Sequence, residues 1–181
     1  QDYEDTGIRT ADVKKLKIEI GDARLYLLGS DSDTFGIRTE GTVDYRCYEE
    51  GGTFYLEGNP DSLDFWEQHD GLDGECVYLY LPRKSDLKDA EIEVGGGLIE
   101  IDELSADKID LSVGAGKVTA EILTCTSLDV EAGAGEVLLN QVTARKAEVE
   151  IGMGRAFLQG SVSQEVDVDC DMGSAELVLS G

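Results

Sequence analysis

Between Glu91 and Gly181 the chain returns to the same pattern every 19 residues. Gly95, Gly114, Gly133, Gly152 and Asp171 stand at that interval, and Gly97, Gly116, Gly135, Gly154 and Gly173 follow two places behind. Two parallel columns over five turns specify a stack of one structural unit, because each unit can bury its apolar face only against the next.

Ahead of the glycines, Ile92/Val94, Leu111/Val113, Val130/Ala132, Val149/Ile151 and Val168/Cys170 keep apolar residues two apart, the period of a strand with one buried face. Behind them Ile99/Ile101, Val118/Ala120, Val137/Leu139, Ala156/Leu158 and Ala175/Leu177 repeat the alternation. Gly-x-Gly between two such strands predicts a bend at a backbone angle that a Cβ would resist. The return is predicted to close on Leu104, Leu123 and Val142 and on Ile109, Leu128, Ala147 and Val166, with the small residues Ala106, Cys125, Ala144 and Ser163 between. No segment keeps a helical period, and the L-x-x-L-x-L spacing of leucine-rich repeats is missing. The reading is an all-β, single-domain parallel β-solenoid over 1–181, with regular 19-residue coils over 88–181.

The earlier part reads as irregular coils over 17–87 behind a lead-in over 1–16. Ile18, Ile20, Gly21-Asp22-Ala23, Leu25 and Leu27 copy the layout of Ile92, Val94, Gly95-Gly96-Gly97, Ile99 and Ile101. Val43/Tyr45/Cys47 and Val77/Leu79/Leu81 are further alternating strands. An insertion over 58–75 carries the only Trp and the only His, Trp66 and His69. Apart from Phe157, every aromatic residue lies at or before Tyr80, which predicts wide coils filled by aromatic rings at one end and lean coils at the other.

Charge limits the partners. With 39 acidic and 15 basic residues the net charge is −24, which disfavours nucleic acid and anionic lipid headgroups and favours cationic partners or divalent ions. No apolar span or signal sequence is present, and a start at Gln1 is expected of a processed chain whose leader or anchor has been removed, so contact with a membrane is expected only through such an anchor. Cys47, Cys76, Cys125 and Cys170 lack metal-ligand spacing and read as small buried side chains, with a Cys47–Cys76 bridge as an open alternative.

The run Val77-Tyr78-Leu79-Tyr80-Leu81-Pro82 and repeated blocks such as Asp129-Val130-Glu131-Ala132-Gly133-Ala134-Gly135-Glu136-Val137 resemble a bacterial family of domains of unknown function known as putative adhesins. The resemblance covers most of the chain. It implies a β-solenoid displayed outside the cytoplasmic membrane, often behind an N-terminal anchor, and it brings no catalytic residues.

Three function classes follow. The first is a non-catalytic cell-surface or extracellular interaction module for a protein, peptide or glycan. Its candidate contacts are Phe65, Trp66, His69 and Asp70 of the insertion and the outward pair Leu138 and Phe157. Phe65 and Trp66 have a second reading, as a lid on the core. The outward columns Glu91, Asp110, Asp129, Glu148, Asp167 and Glu93, Ser112, Glu131, Glu150, Asp169 form an acidic face. This is either a solvated surface or a cation stripe, densest at Glu148, Glu150, Asp167, Asp169 and Asp171, where Ca²⁺ is the candidate ion; no other cofactor is implied. The second class is a self-assembling scaffold, a homo-oligomer joined through the solenoid ends. The third is a glycan-cleaving enzyme using paired carboxylates. Against it, the acids recur with the repeat, whereas a catalytic pair should interrupt it. Glycine runs such as Gly114-Ala115-Gly116-Lys117 complete no phosphate-loop motif, and Leu98, Lys117, Glu136, Arg155, Ser174 alternate charge in a way that supports register.

Overall fold

A computed structural model describes residues 2–59 and 74–180. Its strands are β1 (Glu4–Arg9), β2 (Lys15–Ser30), β3 (Thr34–Glu40), β4 (Asp44–Glu50), β5 (Thr53–Asn59), β6 (Cys76–Pro82), β7 (Leu87–Thr124) and β8 (Ser127–Leu179). A 3-10 turn, Thr10–Asp12, lies between β1 and β2. All eight strands belong to one sheet, which is mixed.

A straight strand of β8's 53 residues would run about 175 Å. It does not run straight, because within β8 a Cβ on Gly152 would strike the carbonyl of Gly133, and one on Gly173 that of Gly154. The extended chain therefore circles back on itself every 19 residues, about 60 Å of path per circuit. The β7–β8 ladder has the same register, parallel from Lys108↔Ser127 to Thr124↔Thr143 with every partner 19 residues away.

The periodic apolar columns face one continuous core. Ile109, Leu128 and Ala147, then Leu111, Val130 and Val149, then Val118, Val137 and Ala156 are all buried. So are Leu104, Leu123 and Val142 of the return. Of the two glycine columns, the second adopts positive φ at Gly97 (123°), Gly116 (143°), Gly135 (137°), Gly154 (141°) and Gly173 (137°), a region that L side chains resist. The first column is needed for a different reason: a Cβ at Gly133 would meet the carbonyl of Gly114 on the adjacent rung.

β2 lies on β7 in the register that its sequence copies: Ile18↔Ile92, Ile20↔Val94, Ala23↔Gly97, Leu25↔Ile99 and Leu27↔Ile101. On its other side the first half of β2 pairs in parallel with β5 and the second half with β6. Partners are 38 residues apart along the first half and 52 along the second, so the corner of this rung holds 14 more residues than the corner of β2. Residues 60–73, and with them Phe65, Trp66, His69 and Asp70, lie outside the described residues. Next to them, Gly58 belongs to β5 opposite Tyr45, and Glu75 is a buried carboxylate.

Beyond that rung the parallel reading fails. β4 pairs antiparallel with β5, β3 with β6, and β1 with β3, so the expected lead-in contributes a strand and Val43/Tyr45/Cys47 belong to a hairpin. Gly51 (φ 61°) and Gly52 (φ 84°) form the two-residue turn between β4 and β5, the geometry in which both central residues need positive φ. A hairpin closes in two residues, whereas another parallel strand needs a full circuit, so antiparallel pairing is the short way to cover the end of the stack.

The aromatic filling of the wide end is also narrower than expected. Phe35 and Phe54, both wholly buried, stack at 4.4 Å and plug the core. The tyrosines of β2, β5 and β6 point outward instead. All four cysteines are free: Cys47 packs against the core and Cys76 has the outward parity of Tyr78, so no Cys47–Cys76 bridge forms.

Candidate interaction face

Alternation builds the face. In β2, Leu25 and Leu27 are inward and Tyr26 outward; in β6, Val77, Leu79 and Leu81 are inward and Tyr78 and Tyr80 outward. Parallel register sets Tyr26 beside Tyr78, and their rings stack at 4.9 Å and 12°, close to the spacing of the strands that carry them. The rings therefore stand off the sheet, one rung behind the other. Antiparallel β3 brings Arg38 opposite Tyr78, and its guanidinium lies 3.9 Å from the ring centroid while Nη1 donates to Glu40 Oε1 at 2.8 Å. Tyr3, half exposed, lies over Gly36, where a Cβ would collide with its ring, and meets Tyr80 edge-on at 5.1 Å.

Partial burial, then the neighbouring Cys76 and Tyr78, raises the Tyr26 phenol above its ordinary value, so it stays a hydrogen-bond donor at neutral pH. Down the same column the partners continue as Glu100, Thr119, Leu138 and Phe157. Leu138 and Phe157 are half-buried and share this face with the tyrosines. Beside them the alternating column pairs as its sequence suggests, with Lys117 Nζ at 4.0 Å and Arg155 Nη2 at 3.2 Å from Glu136.

A second stack, Tyr48 on Tyr55 at 4.7 Å with Arg46 above Tyr48, heads another face. Its column passes through Lys17 and Glu91 into the acids. Partial burial and then the carboxylates of Asp129 and Glu91 raise the Asp110 carboxyl above its ordinary value, and Asp129 above all raises Glu148. Glu148, Glu150, Asp167, Asp169 and Asp171 are all exposed, and Asp171 stands in the glycine column rather than with the acids. Among the described residues no three His, Cys, Asp or Glu side chains are grouped to hold one metal ion. A strand face sends its carboxylates outward in parallel, whereas calcium needs them to converge.

Glu75 joins the face to the rest of the end. Its Oε1 accepts from the Thr42 N–H at 2.6 Å and the Thr42 hydroxyl at 3.1 Å, and its Oε2 from the Val43 N–H at 3.3 Å and the Tyr45 hydroxyl at 3.5 Å. Gly41 (φ 118°) leaves room for that carboxylate. Burial and the Glu75 charge hold the Tyr45 phenol well above its ordinary value, so it donates. Elsewhere a groove of about 240 Å³ is crossed by Arg83, whose guanidinium is held by Asp31 at 2.7 Å and Glu103 at 3.1 Å.

The sequence reading missed Tyr3, Tyr26, Tyr78, Tyr80 and Arg38 as a group. The signal is present in the sequence, since Tyr26 sits between two inward leucines, but ring-bearing residues near one end of a stack read equally well as core filling, and Arg38 comes from a strand whose direction is not legible.

The family described as Toastrack DUF4097 matches residues 4–178. The chain belongs to that family. It is a bacterial putative-adhesin family of domains of unknown function. No curated protein matches the chain. Among solved structures, a putative cell adhesion protein from Clostridium sporogenes is 13% identical, with 99% of each chain covered and a TM-score of 0.46. A putative adhesin from Bacteroides fragilis is 10% identical over 98% of this chain and 96% of that one, TM-score 0.41. A putative lipid binding protein from Parabacteroides distasonis is 17% identical over 99% and 94%, TM-score 0.40. Among the described residues no helix is long and apolar enough to cross a membrane.

Proposed function

We propose that this Toastrack chain is a non-catalytic interaction domain displayed at the cell surface, and that its binding surface is the outward face carrying Tyr3, Tyr26, Tyr78, Tyr80 and Arg38. The observation that carries the reading is the orientation of these rings. Alternation turns them to solvent when a core plugged by two phenylalanines lies directly beneath. Tyrosine and arginine give large contact area for few rotatable bonds, which is why they concentrate at binding hot spots. Rigid strands on both sides keep that area in place. The other outward chemistry recurs rung by rung and does not converge on a point, as a reacting centre would require.

The test is an array of extracellular proteins and glycans probed with the chain and with a Tyr78→Ala/Tyr80→Ala double variant. Binding that survives the double variant would move the surface elsewhere, with the insertion residues Phe65, Trp66, His69 and Asp70 next in line.

A second reading, stacking between chains, is favoured by one observation. Leu177, Val178 and Leu179 are 42%, 45% and 44% exposed, while Leu158, one rung earlier in the Leu177 column, is 1% exposed. A rung laid over them would bury that surface. Sedimentation at rising concentration separates the readings: a Leu177→Lys variant remains monomeric where the parent associates if stacking operates.

A further inference from the structure

Twice the chain lays an arginine over a tyrosine, Arg38 on Tyr78 and Arg46 on Tyr48. In the first case the cation sits between a ring face and a carboxylate, since Glu40 holds Arg38 at 2.8 Å. The Tyr78–Tyr26 stack has two outer faces, and Arg38 covers only the one on Tyr78. The outer face of Tyr26 is turned toward the next rung, where its register partner is Glu100. Glu100 is exposed and makes no ion pair among the described residues, and the same holds for Asp102 two places on. The cations of the following rungs, Lys117 and Arg155, are both directed at Glu136.

We propose that Tyr26 and Glu100 form a seat for the guanidinium or ammonium group of an extended segment of a partner polypeptide, with Leu138 and Phe157 receiving an apolar side chain of the same segment. This deepens the interaction reading above and rests on it. A cation held against a ring by an adjacent carboxylate is the arrangement that the chain itself builds one strand away. Charge selects the occupant: Glu100 in the seat and Asp102 two places on make no ion pair among the described residues, with the cation Arg24 two places before Tyr26, on a chain of net charge −24, and a basic segment gains attraction there that a neutral or acidic one lacks. Spacing selects its form. Phe157 stands three rungs from Glu100, about 14 Å at the usual strand separation, and side chains four residues apart in an extended segment are about 13 Å apart.

The probe is acetyl-arginyl-seryl-threonyl-seryl-leucinamide, titrated by calorimetry into the full chain, beside the same peptide with citrulline in place of arginine. Citrulline keeps the shape and removes the charge. The arginine peptide should bind, weaken as salt rises, and lose about two- to fivefold in affinity with Glu100→Gln and with Tyr26→Leu. Glu131→Gln, on the acidic face, should change nothing. Glu100 is exposed and without an ion pair, so its variant keeps the fold and decides the matter alone if Tyr26→Leu lowers the melting temperature. Absence of binding at millimolar peptide, equal binding of the citrulline peptide, or indifference to Glu100→Gln would each overturn the seat. A partner found on the array and lost with the Tyr78/Tyr80 variant, while the arginine peptide fails, would refute the seat and leave the interaction domain standing.

Discussion

The repeating rungs and the closed end of the stack cover the core in opposite ways. From Ala90 onward each rung rests on a near copy of itself, so a single pattern of inward residues and glycines serves every circuit. Above β2 there is no copy to rest on, and the chain closes the stack with antiparallel strands, a Phe35–Phe54 plug and the hydrogen-bonded carboxylate of Glu75. Repetition lets small residues suffice, because the neighbour supplies both packing and backbone partners; closure demands large and particular ones, because an exposed strand edge and an open core must be covered at once. The difference also bears on function. The repeated part presents columns of like chemistry, while the closing part brings Arg38, Tyr78 and Tyr26 from three strands into one stack.

That contrast can be broken experimentally, most sharply at the glycines. Gly135→Val places a side chain at φ 137° against the Gly116 carbonyl, and denaturant melts should show a loss above about 4 kcal/mol. Gly21→Ala in β2 meets nothing within 4 Å and has no positive φ, so it should leave the midpoint nearly unchanged. Equal effects would mean that the regular rungs do not depend on close glycine stacking. Next in size, Phe54→Ala empties half of the plug and should cost about 3–5 kcal/mol by the same melts. A much smaller loss would show that the closing end is dispensable to the rungs below.

Glu75→Ala leaves the Thr42 and Val43 amides without their acceptor and should cost about 1–3 kcal/mol, with faster amide exchange at those two positions than anywhere in β7. Uniform exchange would deny that this carboxylate organises the turn between β3 and β4. The smallest effect concerns pH. Asp110 and Glu148 have raised carboxyls, so the folded chain holds their protons more firmly than the unfolded chain does, and their contribution to stability falls as pH rises through that raised range. As the pH is lowered from neutral toward about 4, the ordinary carboxylate range, this contribution returns. A Glu148→Gln variant should therefore gain over the parent at pH 7 and lose that advantage near pH 4. A gain independent of pH would point to something other than column repulsion.

Much of the regular part could be read from residue spacing. Positions such as Val130, Val137 and Val142 repeat at a fixed interval, and a fixed interval translates directly into a fixed neighbour. Even β2 was legible, since Ile18 to Leu27 copy a later rung. Strand direction at the closing end was not. Alternation in Tyr45/Cys47 states which side is buried but is identical for parallel and antiparallel partners, and only the Gly51-Gly52 turn carries the direction locally. The candidate site was hidden for the same reason. Tyr26 and Tyr78 are 52 residues apart and Arg38 lies between them in sequence, so no spacing rule joins them.

By itself, then, the sequence determined an all-β chain, the 19-residue circuit, its inward columns and the glycines at its bends, because these are properties of one rung and its copy. Tertiary structure alone decided that the sheet is mixed, that two phenylalanines rather than the tyrosines of β2, β5 and β6 fill the closing end, and that an arginine, two tyrosines and a glutamate from four strands share one column. The physical reason is range: periodicity encodes contacts that repeat at a constant separation along the chain, while the end of a stack is made of contacts that occur once, and those are settled only when the strands have found their partners.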